Sequence, residues 1–544
     1  MRKRSAMVVL GLLLAAILAL GIPGAGAQVP LLMSDNVELI TTFPDTLAIS
    51  GEFARTGDFY YSSSLDSVSA FDVSDPESPQ LLDTIPTANF ENESMTYGER
   101  VIDGELRRFV ILAEDIYNVS PGSPDHVHVG GGVAHIVDVT NAAAGPGSME
   151  LAGQVETEFS THTVQCVSQF DCKYAYNAGT DGFFEILDLT DLDNPKVLKS
   201  VKSPAAGPNA VFTGGAGHYW DFDEAAGIGW HTGSGGAVAF DVSDPTNPVP
   251  IQATNAEGIK TPYNDFILHN SRRPNPGNFE EGAAYSVSNG NVLLVTEEDY
   301  ANDGDEVLCH QEVGNEAGTF QTWGIPDLDR PAASVGTNPS TGTIEPLDIV
   351  NAPAEFAAEA GLVDNPVGLF CSAHWFDYHE SGIVAQGYYQ QGLWLEDVRD
   401  ASEIKYFGFY RPLVSEVWDA YFVPKRDAKG CPTGEHHNIV YTADLVRGLD
   451  VLRVNDLPAP TVPPEPLPCY VPTDNGGGNG GGNGGGDGDG DGNGNGGGGV
   501  GDDDDDRTDD GDGTTLPATG GGVALLLLGA SALPVAAYLG RRRR

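Results

Sequence analysis

Seven near-copies of one aspartate-rich turn, apolar strand-like runs beside most of them, and a half-copy near the N-terminus predict an all-β fold. The architecture they predict is a seven-bladed β-propeller closed by an N-terminal strand, followed by a disordered Gly/Asp/Asn spacer. The two best copies are Phe71-Asp72-Val73-Ser74-Asp75-Pro76-Glu77-Ser78-Pro79 and Phe240-Asp241-Val242-Ser243-Asp244-Pro245-Thr246-Asn247-Pro248; looser ones begin at Val137, Leu187, Ile325, Glu396 and Arg453. Aspartate and serine side chains bond the backbone two residues on, and proline presets its own φ, so this spacing reads as a turn between short strands. Ser34 to Pro44 matches only the second half of a unit, and the last unit runs into the proline-rich Leu457 to Pro468. The N-terminal strand is therefore expected to complete the seventh blade, which removes the open edge of a linear array.

The ends of the chain carry targeting patterns. Arg2, Lys3 and Arg4 precede an apolar run from Ala6 to Ile22, broken by Pro23-Gly24 and followed by the small residues Ala25-Gly26-Ala27. That order is a secretory signal peptide over 1–27. Residues 28–470 form the expected propeller. Residues 471–515 are almost entirely Gly, Asn and Asp, too poor in apolar surface to offset chain entropy. Leu516-Pro517-Ala518-Thr519-Gly520 then precedes the uncharged run Gly521 to Gly540 and four arginines. An apolar run of that length can span a bilayer, and the arginines would hold its end on the cytoplasmic side. The pentapeptide resembles the LPxTG sorting signal of Gram-positive wall proteins. The resemblance implies transient membrane insertion, cleavage by a sortase after Thr519, and a covalent anchor to peptidoglycan in the cell wall.

The chain has a formal net charge of −50. Repulsion excludes nucleic acid as a natural partner, and divalent or cationic ligands suit the surface better. Six cysteines in an exported chain point to disulfides rather than reactive thiols. Cys166 and Cys172 flank a short segment and are expected to pair. Connectivity among Cys309, Cys371, Cys431 and Cys469 stays open, 309–371 and 431–469 being the local choice.

The turn motifs resemble those of the LVIVD-repeat family, whose units end in a Val-Asp-Val-Ser-Asp-Pro-x-x-Pro-like turn. The likeness covers most of residues 33–460 and implies a surface propeller, without implying a reaction.

Aligning the units on that turn brings four histidines to one register: His162, His218, His269 and His374 each fall near the start of a channel-lining strand. The second strands end on the same face, at Glu114, His231, Glu297 or Glu298, and Asp444, with His126 and His128 in a nearby loop. The chain holds only 12 histidines, so four in one register is a pattern to explain. Imidazoles converging with a carboxylate suit one transition-metal ion, Zn, Cu or Fe. The expected metal set is His162, His218, His269, His374 and Glu297. His135, His379, His436 and His437 read as structural or surface residues, and Glu93 enters only as the middle of the sequon Asn92-Glu93-Ser94.

No nucleophile elbow, Walker loop, dinucleotide fingerprint or His-Glu-x-x-His helix is present, so no catalytic residue is assigned. The leading function is a wall-displayed propeller binding a transition metal or an unidentified polar extracellular ligand at its histidine-lined face. A metal-dependent oxidase or hydrolase, and an adhesion protein with no metal, are the alternatives. Closed rings bury their own edges, so a monomer is expected.

Overall fold

The computed structural model describes residues 31–470 other than 88–92, 119–126, 160, 179–182, 203–216, 261, 265, 300, 303–304, 307–317, 329–341, 363–369, 461 and 465; at 115–118, 127–130, 301–302 and 305–306 it describes backbone only. The signal peptide, spacer and sorting signal, and with them Leu516, Pro517, Ala518, Thr519 and Gly520, lie outside these residues. No helix among the described residues is long and apolar enough to cross a membrane.

The repeated motif ends the third strand of every unit, and its side chains make the turn. Asp72 accepts the Ser74 amide at 2.9 Å and Asp75 accepts the Glu77 amide at 3.2 Å. The same pair of bonds recurs at Asp241 and Asp244, both 3.0 Å, and at Asp188 and Asp191, 3.0 and 3.1 Å. The apolar residue between the aspartates (Val73, Val139, Leu189, Val242 or Val398) is buried. The proline serves the neighbouring blade: Tyr176 donates its hydroxyl to the Pro245 carbonyl at 2.6 Å, and Tyr441 to the Pro76 carbonyl at 2.8 Å.

These units fold into seven antiparallel sheets, one per blade, six of four strands and one of five. Their first strands are Ser50–Phe53, Met95–Ile102, Val164–Cys166, Gly217–Asp223, Ile267–Arg272, Phe376–His379 and Val417–Arg426. Neighbouring first strands touch one another all the way round, so they line the central axis. Each begins at one end of that axis, called here the upper end, and finishes at the lower end. Seven apolar clusters fill the seven seams between blades, for example Trp230, Leu293 and Trp323 between blades 4 and 5.

Ring closure follows the expected route. Val37–Phe43 pairs antiparallel with Gly448–Val454 and supplies the outer strand of blade 7. All seven pairs of third and fourth strands carry a register shift, including the closing pair between Leu39 and Thr41. The N-terminal strand is thus a true fourth strand, bulge included. One element was not anticipated: Leu31–Met33 adds a fifth strand to blade 6, against Lys405–Pro412.

Cys166–Cys172 and Cys431–Cys469 are disulfides, as expected. Cys371 is disulfide-bonded too, and Cys309 lies outside the described residues.

Val37 is buried in the seam between blades 6 and 7, with Leu31, Met33 and Leu39 packed against the same cluster. Full burial of one such side chain contributes about 1.5–3 kcal/mol, so Val37 with three partly buried neighbours is a large share of a total near 5–15 kcal/mol. Deleting residues 31–43 should therefore abolish the cooperative thermal transition followed by circular dichroism. An unchanged melting temperature would show that the ring does not need this closure.

Candidate metal centre

At the upper end of the axis, first strands from five consecutive blades deliver their opening side chains to one point. His162 and His374 stand two residues before Val164 and Phe376, and His218 and His269 lie within their strands. Blade 2 contributes Glu93, two residues before Met95, in the register of His162 and His374. The alignment on histidines passed over this residue because blade 2 holds a carboxylate where its neighbours hold imidazoles.

Glu93 is the hub. Its Oε1 lies 2.8 Å from His269 Nε2, 2.9 Å from His374 Nε2 and 3.5 Å from His218 Nε2, and Oε2 contacts His162 Nε2. Glu298, the last residue of the second strand of blade 5, adds a second carboxylate. It lies 3.5 Å from His374 Nε2 through Oε1 and 3.7 Å from His269 Nε2 through Oε2. Ligand atoms of Glu93, His218, His269 and Glu298 all fall within 4.8 Å of one another, and all four residues are buried. The imidazoles form an arc, with ring centroids 4.8 Å apart for His162–His218, 3.9 Å for His218–His269 and 4.1 Å for His269–His374.

The next blade holds two of the rings by their other nitrogen. His218 Nδ1 donates to the His269 carbonyl at 3.0 Å, and His374 Nδ1 to the Trp418 carbonyl at 2.7 Å. A carbonyl accepts only, so Nδ1 carries the proton; at His218, which burial keeps neutral, the Nε2 lone pair is then turned toward Glu93. That is how second-layer partners orient metal-ligating histidines. It also leaves His218 Nε2 buried with no hydrogen-bond partner, facing a carboxylate oxygen. Two lone pairs facing each other in a buried site call for a cation between them.

Electrostatics sharpen this. Burial drives His218 well below its ordinary value, and the neighbouring His269 pushes the same way. Burial and the neighbouring His374 bring His269 down to about 3. At His374 burial also lowers, but the Glu93 hydrogen bond and the Glu298 and Glu93 charges outweigh it, so the pKa rises. At Glu93 burial works upward, yet the surrounding imidazoles, His162 foremost, hold it well below the usual carboxylate range. The site thus joins an ionised carboxylate to two imidazoles that burial keeps neutral, His218 and His269, a donor set that could hold a metal ion. Aromatic rings pack against it: Trp375 meets the His269 ring at 4.6 Å, and Trp418 and Tyr389 meet His374 at 4.9 and 4.7 Å. Its approach is from His162, whose side chain is 22% exposed.

Other expected members go elsewhere. Glu297 turns away, as alternate strand residues do, and its carboxylate takes the Gly318 and Thr319 amides; the donor at this place is Glu298. His231 stacks on Trp220 at 4.1 Å in the seam between blades 3 and 4. Asp444 caps its own turn, taking the Glu416, Val446 and Arg447 amides at 3.0, 2.7 and 2.9 Å. Glu114 pairs with His135. His379 and His436 meet Glu380 at the lower end, at 3.5 and 2.9 Å. His126 and the His128 side chain lie outside the described residues.

No family model and no curated protein matches this chain. Among solved structures it is similar to the β-propeller domain of Cps50 (Swd1) from Myceliophteria thermophila, at 13% identity over 77% of this chain and 100% of that one, with a TM-score of 0.46. The WD40 repeats of RRP9 and the structure of U3-55K follow at 9% identity, each over 77% of this chain and 98% of theirs, with TM-scores of 0.42 and 0.41. These likenesses do not bear on the site, and the propeller assignment stands on the seven sheets themselves.

Below the mouth, Glu52 of blade 1 is half-buried and its pKa is raised to about 7, because desolvation outweighs the charge of Arg55 and the Phe53 amide. A raised carboxyl keeps its proton in the folded chain while the unfolded chain has lost it, so stability falls as pH rises from about 4.5 to about 7. Glu52→Gln should flatten the urea midpoint across that window and leave the variant more stable than the parent at pH 8. Parallel curves for the two proteins would show that Glu52 is already ionised at low pH.

Proposed function

We propose that this chain is a secreted, wall-anchored β-propeller that binds one transition-metal ion at the upper mouth of its axis. One observation carries the metal reading: the buried His218 Nε2, oriented by its Nδ1 bond, faces the Glu93 carboxylate with no proton to share. A divalent ion there would meet imidazole nitrogens and carboxylate oxygens, with no thiolate, which fits Zn, Cu or Fe. The export reading is supported by the signal pattern over 1–27, by the disulfides, and by Leu516-Pro517-Ala518-Thr519-Gly520 with its apolar run and arginines. Sortase and peptidoglycan are the partners this reading requires.

Geometry suits such display. Cys469 is tied to Cys431, and the Tyr470 amide bonds Thr56 Oγ1 at 3.1 Å, both at the lower end. The described chain therefore finishes opposite the histidine mouth. A second reading, a metal-dependent extracellular oxidase or hydrolase, is favoured by the exposure of His162, through which a small molecule could approach.

The test is elemental analysis of the mature protein purified without a histidine tag. One metal per chain is expected, lost in the His218→Ala, His269→Ala, His374→Ala triple variant and bound at least tenfold more weakly in Glu93→Gln. No metal, even after incubation with Zn, Cu and Fe salts, would leave a display or adhesion propeller.

A further inference from the structure

Between the second and third strands of blade 6 the chain turns through Tyr388, Tyr389, Gln390, Gln391 and Gly392. Tyr389 stands there at φ 46°, one of four described non-glycine residues with positive φ. A bulky side chain adopts this conformation only where its surroundings impose it, and a glycine would adopt it without strain. The surroundings are plain: Tyr389 and Val417 of blade 7 exchange two backbone hydrogen bonds of 2.9 Å each. The result is a buried phenol whose ring lies 4.7 Å from that of His374 and 5.4 Å from that of Trp418, and whose hydroxyl donates to Glu298 Oε1.

That bond holds one oxygen of Glu298. With Oε1 fixed by the phenol, Oε2 stays turned toward His269 Nε2 at 3.7 Å. Swung away, Glu298 would leave the site one carboxylate and its imidazoles. We infer that Tyr389 is a positioning residue that holds Glu298 as an oxygen donor of the metal site and so sets that site's affinity for oxygen-preferring ions; this rests on the metal reading above. Outer partners of this kind are typically worth about 10–100-fold in metal affinity. The strained backbone fits such a role, since conformational strain concentrates where a side chain must be aimed.

Co(II) is the probe, because its visible spectrum reports donor type and geometry. Tyr389→Phe deletes one hydroxyl and keeps the ring. It should retain the parental melting temperature, bind Co(II) about 10–100-fold more weakly, and shift the visible bands. Glu298→Gln should weaken binding at least as much. In that background Tyr389→Phe should add nothing, since the tyrosine acts through the carboxylate. Parental affinity and spectrum in Tyr389→Phe, or fully additive losses in the double variant, would overturn the assignment of Tyr389 while leaving the metal site in place. A parent protein that takes up no Co(II) would instead overturn the metal reading, and the role of Tyr389 with it.

Discussion

A propeller blade has two apolar faces and no way to bury either within its own sheet. Each face needs a neighbour, and the neighbour needs the next, so stability is complete only when the last blade meets the first. Here that condition is met by Val37–Phe43, from the start of the described chain, lying beside Gly448–Val454 near its end. Side chains reinforce the seam: Arg453 pairs with Glu38 of the closing strand and, at 2.7 Å, with Glu77 in the turn of blade 1. Glu93 from blade 2 meets His374 from blade 6 only because the ring is shut. Closure thus fixes the site as well as the fold.

The architecture was legible because its signal is local chemistry. Asp72, Asp188 and Asp241 bond amides two residues away, so the turn is written in contiguous sequence and survives drift elsewhere. The half-copy at Ser34 was legible for the same reason. Leu31–Met33 was not, since three residues pairing with an edge strand leave no periodicity to read. The site was half legible. Four histidines in one register announced themselves, whereas Glu93 shared their register without sharing their chemistry. Glu297 and Glu298 are adjacent residues on opposite faces of one strand, and only the phase of the pleat, set by tertiary packing, separates donor from backbone cap. His231 shows the converse: an imidazole at the right strand end is a flat ring that fills a seam beside Trp220.

The mouth concentrates titratable groups where water is scarce. Buried charges persist only when paired or ligated, and here one ionised carboxylate serves four imidazoles at once. Because each ring comes from a different blade, the donor arrangement responds to how the blades sit against one another. Trp375, Trp418 and Tyr389 pack against the His269 and His374 rings.

The lower-end disulfide has a mechanical consequence. Were the chain anchored through its C-terminus, as proposed above, drag and shear would reach the ring through Tyr470. Without a staple, that pull would fall first on Gly448–Val454 and peel it from its neighbours one hydrogen bond at a time. Cys469 is bonded instead to Cys431, in the hairpin between the first two strands of blade 7. Load would then enter the hairpin that joins the two inner strands, where the Gly57 amide bonds the Gly430 carbonyl and Arg426 bonds the Ala54 and Arg55 carbonyls of blade 1. Such force would be spread across two blades in shear, sparing Gly448–Val454.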